Sequence, residues 1–154
     1  MKTDTLFSLF LKNIATLGFI GYLPFAPGTF GTLAGVVVMV LLKPPIPLHI
    51  ALSIFSIAIG ILSSNQAEKL FRQNDPSYIV IDEFAGYIVS LLFLPLNWGY
   101  MLSAFILFRF FDIIKPPPIK RIEYSLKGGL GIVADDIGAA VYTNLVLQAW
   151  KLMN

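Results

Sequence analysis

Two adjacent carboxylates stand among apolar residues near the middle of the chain. Asp82 and Glu83 follow the apolar residues 79–81 and precede an apolar run that continues to Leu96. A carboxylate carried to the centre of a membrane helix costs roughly 2.5–3.5 kcal/mol, and two neighbouring carboxylates also repel each other. The pair therefore predicts a positively charged partner, either a basic side chain or a metal ion.

Two further acidic sites stand where apolar segments meet polar ones, at Asp112 and at the pair Asp135 and Asp136. Oxygen ligands suit a hard cation, and Mg²⁺ commonly takes one or two carboxylates together with substrate phosphate. Any one of these acidic sites could instead cap a helix N-terminus. Three sites together favour a metal site, because the second carboxylate of a pair adds desolvation cost without adding a second cap.

Basic residues and a glycine-rich segment could bind phosphate. Arg109, Asp112 and Lys115 are spaced i, i+3, i+6, which places Arg109 and Asp112 on one helical face. They could form a local ion pair with Lys115 as the helix cap, or grip phosphate. Residues 27–32 begin an apolar segment, where free helix amides can hold an anion, although a Pro-Gly turn capped by threonine explains them equally well. The candidate phosphate-binding residues are Gly28, Thr29, Gly31, Thr32, Arg109 and Lys115.

Residues that are missing exclude several mechanisms. The sequence has no cysteine, which excludes a thiolate nucleophile, a disulfide and a cysteine-ligated metal. The single histidine, His49, falls on the poorly charged side of the chain, so we predict an interfacial histidine without a catalytic role. The P-loop, H-E-x-x-H and G-x-S-x-G patterns are absent. A net charge of +2 and the lack of a basic tract with interleaved aromatics give no indication of nucleic-acid binding.

The composition indicates a protein that is largely solvated by lipid. Hydrophobic residues make up 56% of the 154-residue chain and charged residues 13%, whereas soluble domains carry about a quarter charged residues. This favours a single membrane domain over residues 1–154 rather than a very apolar soluble one. Residues 2–18 have helical amphipathicity and predict an interfacial helix. A signal peptide is disfavoured, because Lys12 interrupts the apolar run and no cleavage site follows.

Five apolar segments follow the N-terminal helix, and they predict an all-α fold. Most contain about 13–15 residues, fewer than the 20 or so that a perpendicular span needs. We therefore expect a compact multi-helical integral membrane protein with short or partly re-entrant apolar helices. The segments are residues 33–42, 48–62, 84–96, 100–111 and 132–150.

The basic residues predict the orientation of the chain. If all five segments cross the bilayer, nine of the 11 Lys and Arg residues share one side, and Lys43 and Lys151 lie on the other. The positive-inside rule places the nine in the cytoplasm, and the acidic sites fall on that side too. The nine are Lys2, Lys12, Lys69, Arg72, Arg109, Lys115, Lys120, Arg121 and Lys127.

Four segments resemble the motifs of one family, phosphatidylglycerophosphatase A. They occur in the family's order and with comparable spacing, over most of residues 18–145. The sequence departs from the motifs at Thr32, where serine is usual, and at Pro117, where an aromatic is common; neither change removes a charge. The matches are residues 21–32 with G-x-x-P-x-x-P-G-T-x-G-S, 79–86 with I-V-x-D-E-x-x-G, 108–118 with F-R-x-x-D-x-x-K-P-x-P, and 128–139 with G-G-x-G-I-x-x-D-D-x-x-A.

The resemblance implies an Mg²⁺-dependent phosphatase of bacterial inner membranes that converts phosphatidylglycerophosphate to phosphatidylglycerol and phosphate at the cytoplasmic face. We expect Asp82, Glu83, Asp135 and Asp136 to hold one or two Mg²⁺, with Asp112 as a further catalytic group. The expected partners are the phospholipid substrate and membrane lipid, without nucleic acid. The sequence leaves open the oligomeric state and whether water or an aspartate attacks the phosphate.

Two alternatives remain open, and the second belongs to another class of protein. One is a different metal-dependent enzyme acting on a phospholipid headgroup, such as an alcohol phosphotransferase, although the D-G-x-x-A-R opening usual for those enzymes is missing. The other is a small anion transporter or accessory membrane subunit that uses the same charges to bind a solute. Release of free phosphate, with water as the sole acceptor, would favour the phosphatase over a phosphotransferase. Transport of phosphate without ester cleavage would favour the transporter.

Overall fold

The computed structural model describes residues 2–153. The side chains of residues 2–4, 123 and 124 lie outside the description, and Lys2, counted above with the basic residues, is among them. Within the described residues, regular secondary structure is entirely helical, which confirms the all-α prediction. The α-helices are α1 (Lys2–Ala15), α2 (Pro27–Leu42), α3 (Ile46–Phe71), α4 (Ile81–Ser90), α5 (Trp98–Ile114), α6 (Ile119–Ser125) and α7 (Gly129–Met153), with a 3-10 helix at Ile20–Tyr22.

The apolar helices differ in length. Helices α3 and α7 have 26 and 25 residues and are long and apolar enough to cross a membrane. Helices α2 and α5 have 16 and 17 residues, and α4 has 10. These lengths agree with the prediction of short apolar helices. The N-terminal helix packs against α3 through Leu11 and Ala15 and leaves Leu6, Phe7 and Phe10 exposed, as expected at a membrane surface.

Helix α3 extends further than its hydropathy predicts. The sequence indicates that polar residues follow residue 62, but α3 continues to Phe71. The continuation packs well because its small side chains, Ser63, Ser64 and Ala67, are fully buried. The Ser63 hydroxyl donates to the carbonyl of Gly60 at 3.2 Å, so its polarity is satisfied inside the helix. The polar region 119–131 likewise contains a helix, α6, rather than loop alone.

Helix α4 lies at the centre of the bundle, in contact with α2, α3, α5 and α7. It begins at Ile81 and ends at Ser90, so it is shorter than the predicted apolar segment 84–96. Tyr87 and Ile88 are buried in the main core cluster. Packing against α5 is so close that a Cβ at Gly86 would stand 2.6 Å from ring atoms of Phe108. Because α4 is short and surrounded by other helices, the two carboxylates in its first turn lie inside the bundle.

The carbonyls at the C-terminal end of α4 receive hydrogen bonds from neighbouring helices. His49 Nε2 lies 2.9 Å from the Ile88 carbonyl, so His49 is buried and structural rather than interfacial as predicted. Asn144 Nδ2 donates to the carbonyls of Ser90 and Leu92 at 2.9 and 2.8 Å. Buried carbonyls need such internal donors where water is excluded. Two more α7 donors reach the following turn: Gln148 Nε2 to Leu92 O at 3.2 Å and Lys151 Nζ to Phe93 O at 3.0 Å.

The Asn144→Ala substitution tests this arrangement. It removes the side-chain donor to the Ser90 carbonyl and one of two donors to the Leu92 carbonyl, which keeps the bond from Gln148. A buried carbonyl left unpaired costs about 1–3 kcal/mol. We expect a clearly lower thermal unfolding midpoint in detergent, measured by tryptophan fluorescence or circular dichroism. Gln73→Ala, at an exposed position beyond α3, is the control and should leave the midpoint unchanged. Equal midpoints for both variants and the parent protein would contradict the proposed role of Asn144.

Candidate active site

Four helix ends meet around a polar cavity of about 330 Å³. The N-terminal ends of α2 and α4, the C-terminal end of α5 and the first turns of α7 form its wall. Carboxylates that are far apart in sequence therefore share one space, together with two cations. The predicted residues that line it are Gly28, Asp82, Glu83, Arg109, Asp112, Lys115, Asp135 and Asp136.

The first turn of α4 is fixed by the apolar residues that precede the acidic pair. Ile79, Val80 and Ile81 are buried, and the Val80 amide donates to the carbonyl of Ala15 at the end of α1 at 2.9 Å. This anchor leaves the next two side chains directed into the cavity. Carboxylates in the first turn also interact favourably with the positive end of the helix dipole.

Glycines bring α7 close enough to α3 to place its acidic pair. A Cβ at Gly129 would collide with the carbonyl of Ile61, so only glycine allows this approach. Gly128, just before the helix, has φ +68°, a left-handed conformation that glycine adopts without strain. Asp135 and Asp136 follow in the second turn of α7 and are buried against the cavity.

Three carboxylates form a cluster suited to a metal ion. One ligand oxygen each from Asp82, Glu83 and Asp136 can be chosen so that all three lie within 4.8 Å of one another. Asp82 Oδ1, Glu83 Oε2 and Asp136 Oδ2 are buried and have no hydrogen-bond partner among the described residues. Buried acceptors without a partner are strongly unfavourable. A hard divalent cation with oxygen ligands would satisfy all three, so the cluster fits Mg²⁺.

The other two carboxylates are paired with cations. Arg109 Nη1 lies 2.7 Å from Asp112 Oδ2, the pair that the i, i+3 spacing predicts, and 3.6 Å from Glu83 Oε1. Lys115 Nζ donates to Asp135 Oδ2 at 2.6 Å. Arg109 therefore links its ion pair with Asp112 to the three-carboxylate cluster through its contact with Glu83. The five acidic residues predicted from the sequence divide into three that can take a metal and two that orient basic side chains.

Burial disfavours the ionised forms of the α4 carboxylates. It raises the pKa of Asp82 well above its usual value, and the charge of the adjacent Glu83 adds to the rise. Burial also raises the pKa of Glu83; the Asp112 charge acts in the same direction, while Arg109 opposes it. Ionisation of both groups at neutral pH therefore calls for additional positive charge in the cavity.

The glycine-rich segment reaches the cavity only at its beginning. Gly28 lines the wall, and a Cβ there would collide with the carboxylate of Glu83. Thr32 is buried, and its hydroxyl donates to the carbonyl of Gly28 at 3.0 Å within α2. Gly31 packs against Val80, where a Cβ would stand 2.7 Å from the carbonyl oxygen. Thr29, Gly31 and Thr32 are not among the residues that line the cavity.

Two cavity residues did not emerge from the sequence. Asp75 and Ser77 line the wall from the segment between α3 and α4. The Asp75 amide donates to Glu68 Oε1 at 2.9 Å, and the Asp75 charge contributes to the raised pKa of Asp82. From the sequence alone, residues 63–78 predict a polar region with a turn at residues 75–76. A signal was present, because a third acidic residue stands only seven positions before Asp82.

Comparison with known proteins identifies the family. The profile of a family described as Phosphatidylglycerophosphatase A matches residues 13–151. The chain belongs to the phosphatidylglycerophosphatase A family. It is therefore an enzyme, a phosphatase acting on a phosphoric monoester, and the resemblance seen in the four sequence motifs is confirmed.

Three relatives cover most of the chain. A Phosphatidylglycerophosphatase A of Haemophilus influenzae is 40% identical over 82% of this chain and 82% of its own length. One from Escherichia coli is 36% identical over 82% of this chain and 75% of its own. A Bacteroides thetaiotaomicron protein provisionally named a phosphatidylinositol-3-phosphatase is 36% identical over 90% and 92%. No solved structure matches the chain.

The Gly28→Ala substitution tests the contact between α2 and the acidic cluster. The added Cβ must displace the Glu83 carboxylate, the flexible end of a side chain, so the fold should persist while turnover falls roughly tenfold or more. Gly99→Ala, at the exposed start of α5, is the matched control. Phosphate release and the unfolding midpoint should be measured for both variants. Full activity of Gly28→Ala would show that Glu83 can move without consequence.

Proposed function

We propose that the protein hydrolyses phosphatidylglycerophosphate to phosphatidylglycerol and phosphate in an Mg²⁺-dependent reaction. The observation that carries the proposal is the cluster of Asp82, Glu83 and Asp136, whose buried oxygens have no hydrogen-bond partner, beside Arg109 and Lys115 in one cavity. Metal-binding oxygens and phosphate-binding cations in one space are the parts that phosphomonoester hydrolysis requires. Membership of the family supports this substrate.

Asp82, Glu83 and Asp136 are the residues that would hold Mg²⁺. Asp135, a fourth ligand in the sequence-based prediction, instead accepts a hydrogen bond from Lys115, which supports an orienting role for it. When bound, Mg²⁺ neutralises phosphate charge and acts as a Lewis acid toward a phosphoryl oxygen. Without a metal, burial and mutual repulsion oppose simultaneous ionisation of the α4 pair.

The basic side chains are the proposed phosphate ligands. Arg109 presents a planar guanidinium held by Asp112, and this geometry suits contact with two phosphate oxygens. Lys115, held by Asp135, supplies a second positive charge on the same wall. Carboxylates behind the cations fix their direction before substrate arrives, which lowers the entropic cost of forming the transition state.

The attacking group is either a water molecule or one of the aspartates that line the cavity. A water needs a carboxylate base, and a direct attack forms an acyl phosphate on the enzyme. Quenching the enzyme with acid during turnover of ³²P-labelled substrate distinguishes them. Label retained on the protein supports an aspartate nucleophile, and label found entirely as free phosphate supports water.

We further propose a multi-pass protein of the bacterial inner membrane whose cavity faces the cytoplasm. The two long apolar helices and the many exposed apolar side chains support a bilayer location. Lys43 follows the C-terminal end of α2 and Lys151 lies in the last turn of α7, both at helix ends away from the cavity, whereas Arg109 and Lys115 line the cavity. The excess of basic residues on the cavity side supports a cytoplasmic orientation.

Phosphate release by the purified protein tests the proposed reaction. Phosphatidylglycerophosphate, phosphatidylinositol 3-phosphate and phosphatidic acid should be supplied in mixed micelles, each with Mg²⁺ or with EDTA. We expect release from phosphatidylglycerophosphate with Mg²⁺ and none with EDTA. Preference for the phosphoinositide would instead favour the activity in the provisional name of the Bacteroides relative. Transport of phosphate across vesicles without ester cleavage would support the transporter alternative.

Conservative substitutions test the roles of individual carboxylates. Glu83→Gln and Asp136→Asn keep side-chain volume but remove a metal ligand's charge, so each should lower turnover by at least roughly a hundredfold. Glu68→Gln, at an acidic residue outside this cavity, is the matched control. The unfolding midpoint should confirm that all three variants fold. Near-parental turnover in either Glu83→Gln or Asp136→Asn would remove that residue from the active site.

Metal binding should stabilise the protein in a pH-dependent manner. In the metal-free protein the folded pKa values of Asp82 and Glu83 are raised, so folding takes up protons, and stability increases as pH falls through those values. Mg²⁺ needs the ionised groups and competes with these protons. A ligand at 100 times its Kd adds about 2.7 kcal/mol to stability. Scanning calorimetry should therefore show a larger rise of Tm with Mg²⁺ at pH 8 than at pH 6; a larger rise at pH 6 would contradict the assignment.

A further inference from the structure

An exposed aromatic segment stands directly beside the cavity. We define it as residues 19–25, between α1 and α2. Phe19 and Phe25 are 91% and 80% exposed, which makes them the most exposed phenylalanines of the chain, and Tyr22 and Leu23 are also exposed. Large apolar side chains grouped on a surface mark a site of interaction with a partner or a membrane.

The aromatic segment is held rigidly against the body of the protein. Gly21 is buried, and a Cβ there would collide with the carbonyl of Tyr78. The rings of Tyr22 and Tyr78 also pack with their centroids 5.4 Å apart. The two phenylalanines are therefore presented outward by an anchored backbone. Their exposure is a property of the fold, which indicates a defined surface.

The aromatic segment is continuous with the cavity wall. Ala26, Pro27 and Gly28 follow it at once and line the cavity. Tyr78, which anchors the segment, stands between Ser77 and Ile79, and both of these also line the cavity. The charged cavity and the apolar surface thus share one stretch of backbone.

A second apolar surface adjoins the cavity at the end of α5. Asp112 lines the cavity, and the next residue, Ile113, is 71% exposed. Ile114 and Phe110 are exposed as well. A phospholipid joins a charged headgroup to apolar chains, so an enzyme that takes a headgroup into a charged cavity needs apolar surface at the rim. The two surfaces meet this requirement.

We propose that the aromatic segment inserts into the interfacial layer of the bilayer and, with Ile113, contacts the glycerol backbone and upper acyl chains of the phospholipid substrate. Aromatic side chains are enriched at this depth because their rings suit the boundary between headgroups and hydrocarbon. Continuity with a bundle that has two helices able to cross a membrane favours lipid over a protein partner as the occupant. The inference rests on the proposed function, since it assigns the lipid end of the same substrate.

Paired substrates test the role of the aromatic segment in catalysis. The double variant F19S/F25S should lose roughly tenfold or more in kcat/KM on long-chain phosphatidylglycerophosphate in mixed micelles, because two phenyl rings lose their lipid contact. Its kcat/KM on glycerol 3-phosphate, a water-soluble phosphomonoester that lacks both the diacylglycerol backbone and the acyl chains, should stay within about twofold of the parent value. The control F93S changes a 52% exposed phenylalanine in the turn that follows the C-terminal end of α4, away from the cavity, and should affect neither substrate.

An equal loss on both substrates would show that the segment only supports the fold, and an unchanged long-chain activity would show that it does not contact lipid. Either result overturns the proposal.

A second measurement needs no activity, so its outcome is independent of the proposed function. The sequence has no cysteine, so a nitroxide can be attached through F25C or K127C alone and placed in vesicles of phosphatidylethanolamine and phosphatidylglycerol.

The collision rates of the nitroxide with oxygen and with a water-soluble nickel chelate report its depth. The label at F25C should collide mainly with oxygen, as in a bilayer, and the label at K127C mainly with the chelate, because Lys127 is an exposed loop residue. Equal chelate access at the two positions would place the aromatic segment in water and overturn the inference. If lipid immersion is found but no lipid phosphate is cleaved, the proposed function fails while the membrane contact stands.

Discussion

The burial of unpaired carboxylate oxygens is the constraint on which the rest of the structure depends. Asp82, Glu83 and Asp136 bring carboxylates into a cavity at the ends of apolar helices, and one oxygen of each is buried with no hydrogen-bond partner among the described residues. Such an arrangement is stable only with nearby positive charge. Arg109 supplies some of it at the edge of the cluster, and a divalent cation fits the remainder. Bringing these carboxylates together is energetically unfavourable, so several helices of the bundle pack around the first turn of α4 and the second turn of α7 to hold them in place.

Helix α7 holds both ends of α4. Its second turn places Asp136 beside the α4 carboxylates, and two turns later Asn144 donates to the carbonyls that end α4. His49 of α3 secures the same end from another side. A helix of 10 residues cannot cross a bilayer, and its unpaired ends must be satisfied inside the protein. The hydrogen bonds far from the cavity and the acidic cluster are therefore parts of one arrangement that sets the register of α4 against α7.

The sequence predicted which residues meet, but it could not predict which carboxylates pair with cations and which are left to bind a metal. Charge, spacing and motif order pointed to five of the six carboxylates that line the cavity and to both cations, but not to Asp75. The pairing of Arg109 with Asp112 follows from helical spacing, but the bond from Lys115 to Asp135 depends on how α5 packs against α7. Thr32 was an expected phosphate ligand, yet its hydroxyl is satisfied inside α2 by Gly28. Hydropathy also ended α3 too early, because it cannot show that small polar side chains face the bundle interior.

The central claim is that Asp82, Glu83 and Asp136 hold a divalent metal while Asp135 orients Lys115. Anomalous diffraction from crystals grown with Mn²⁺ measures this directly, because Mn²⁺ prefers the same oxygen ligands as Mg²⁺. The account predicts an anomalous peak bounded by the three carboxylates, with Lys115 still bonded to Asp135. Two results would contradict it: an anomalous peak coordinated by Asp135, with the bond from Lys115 to Asp135 broken, or an acidic cluster that binds no metal.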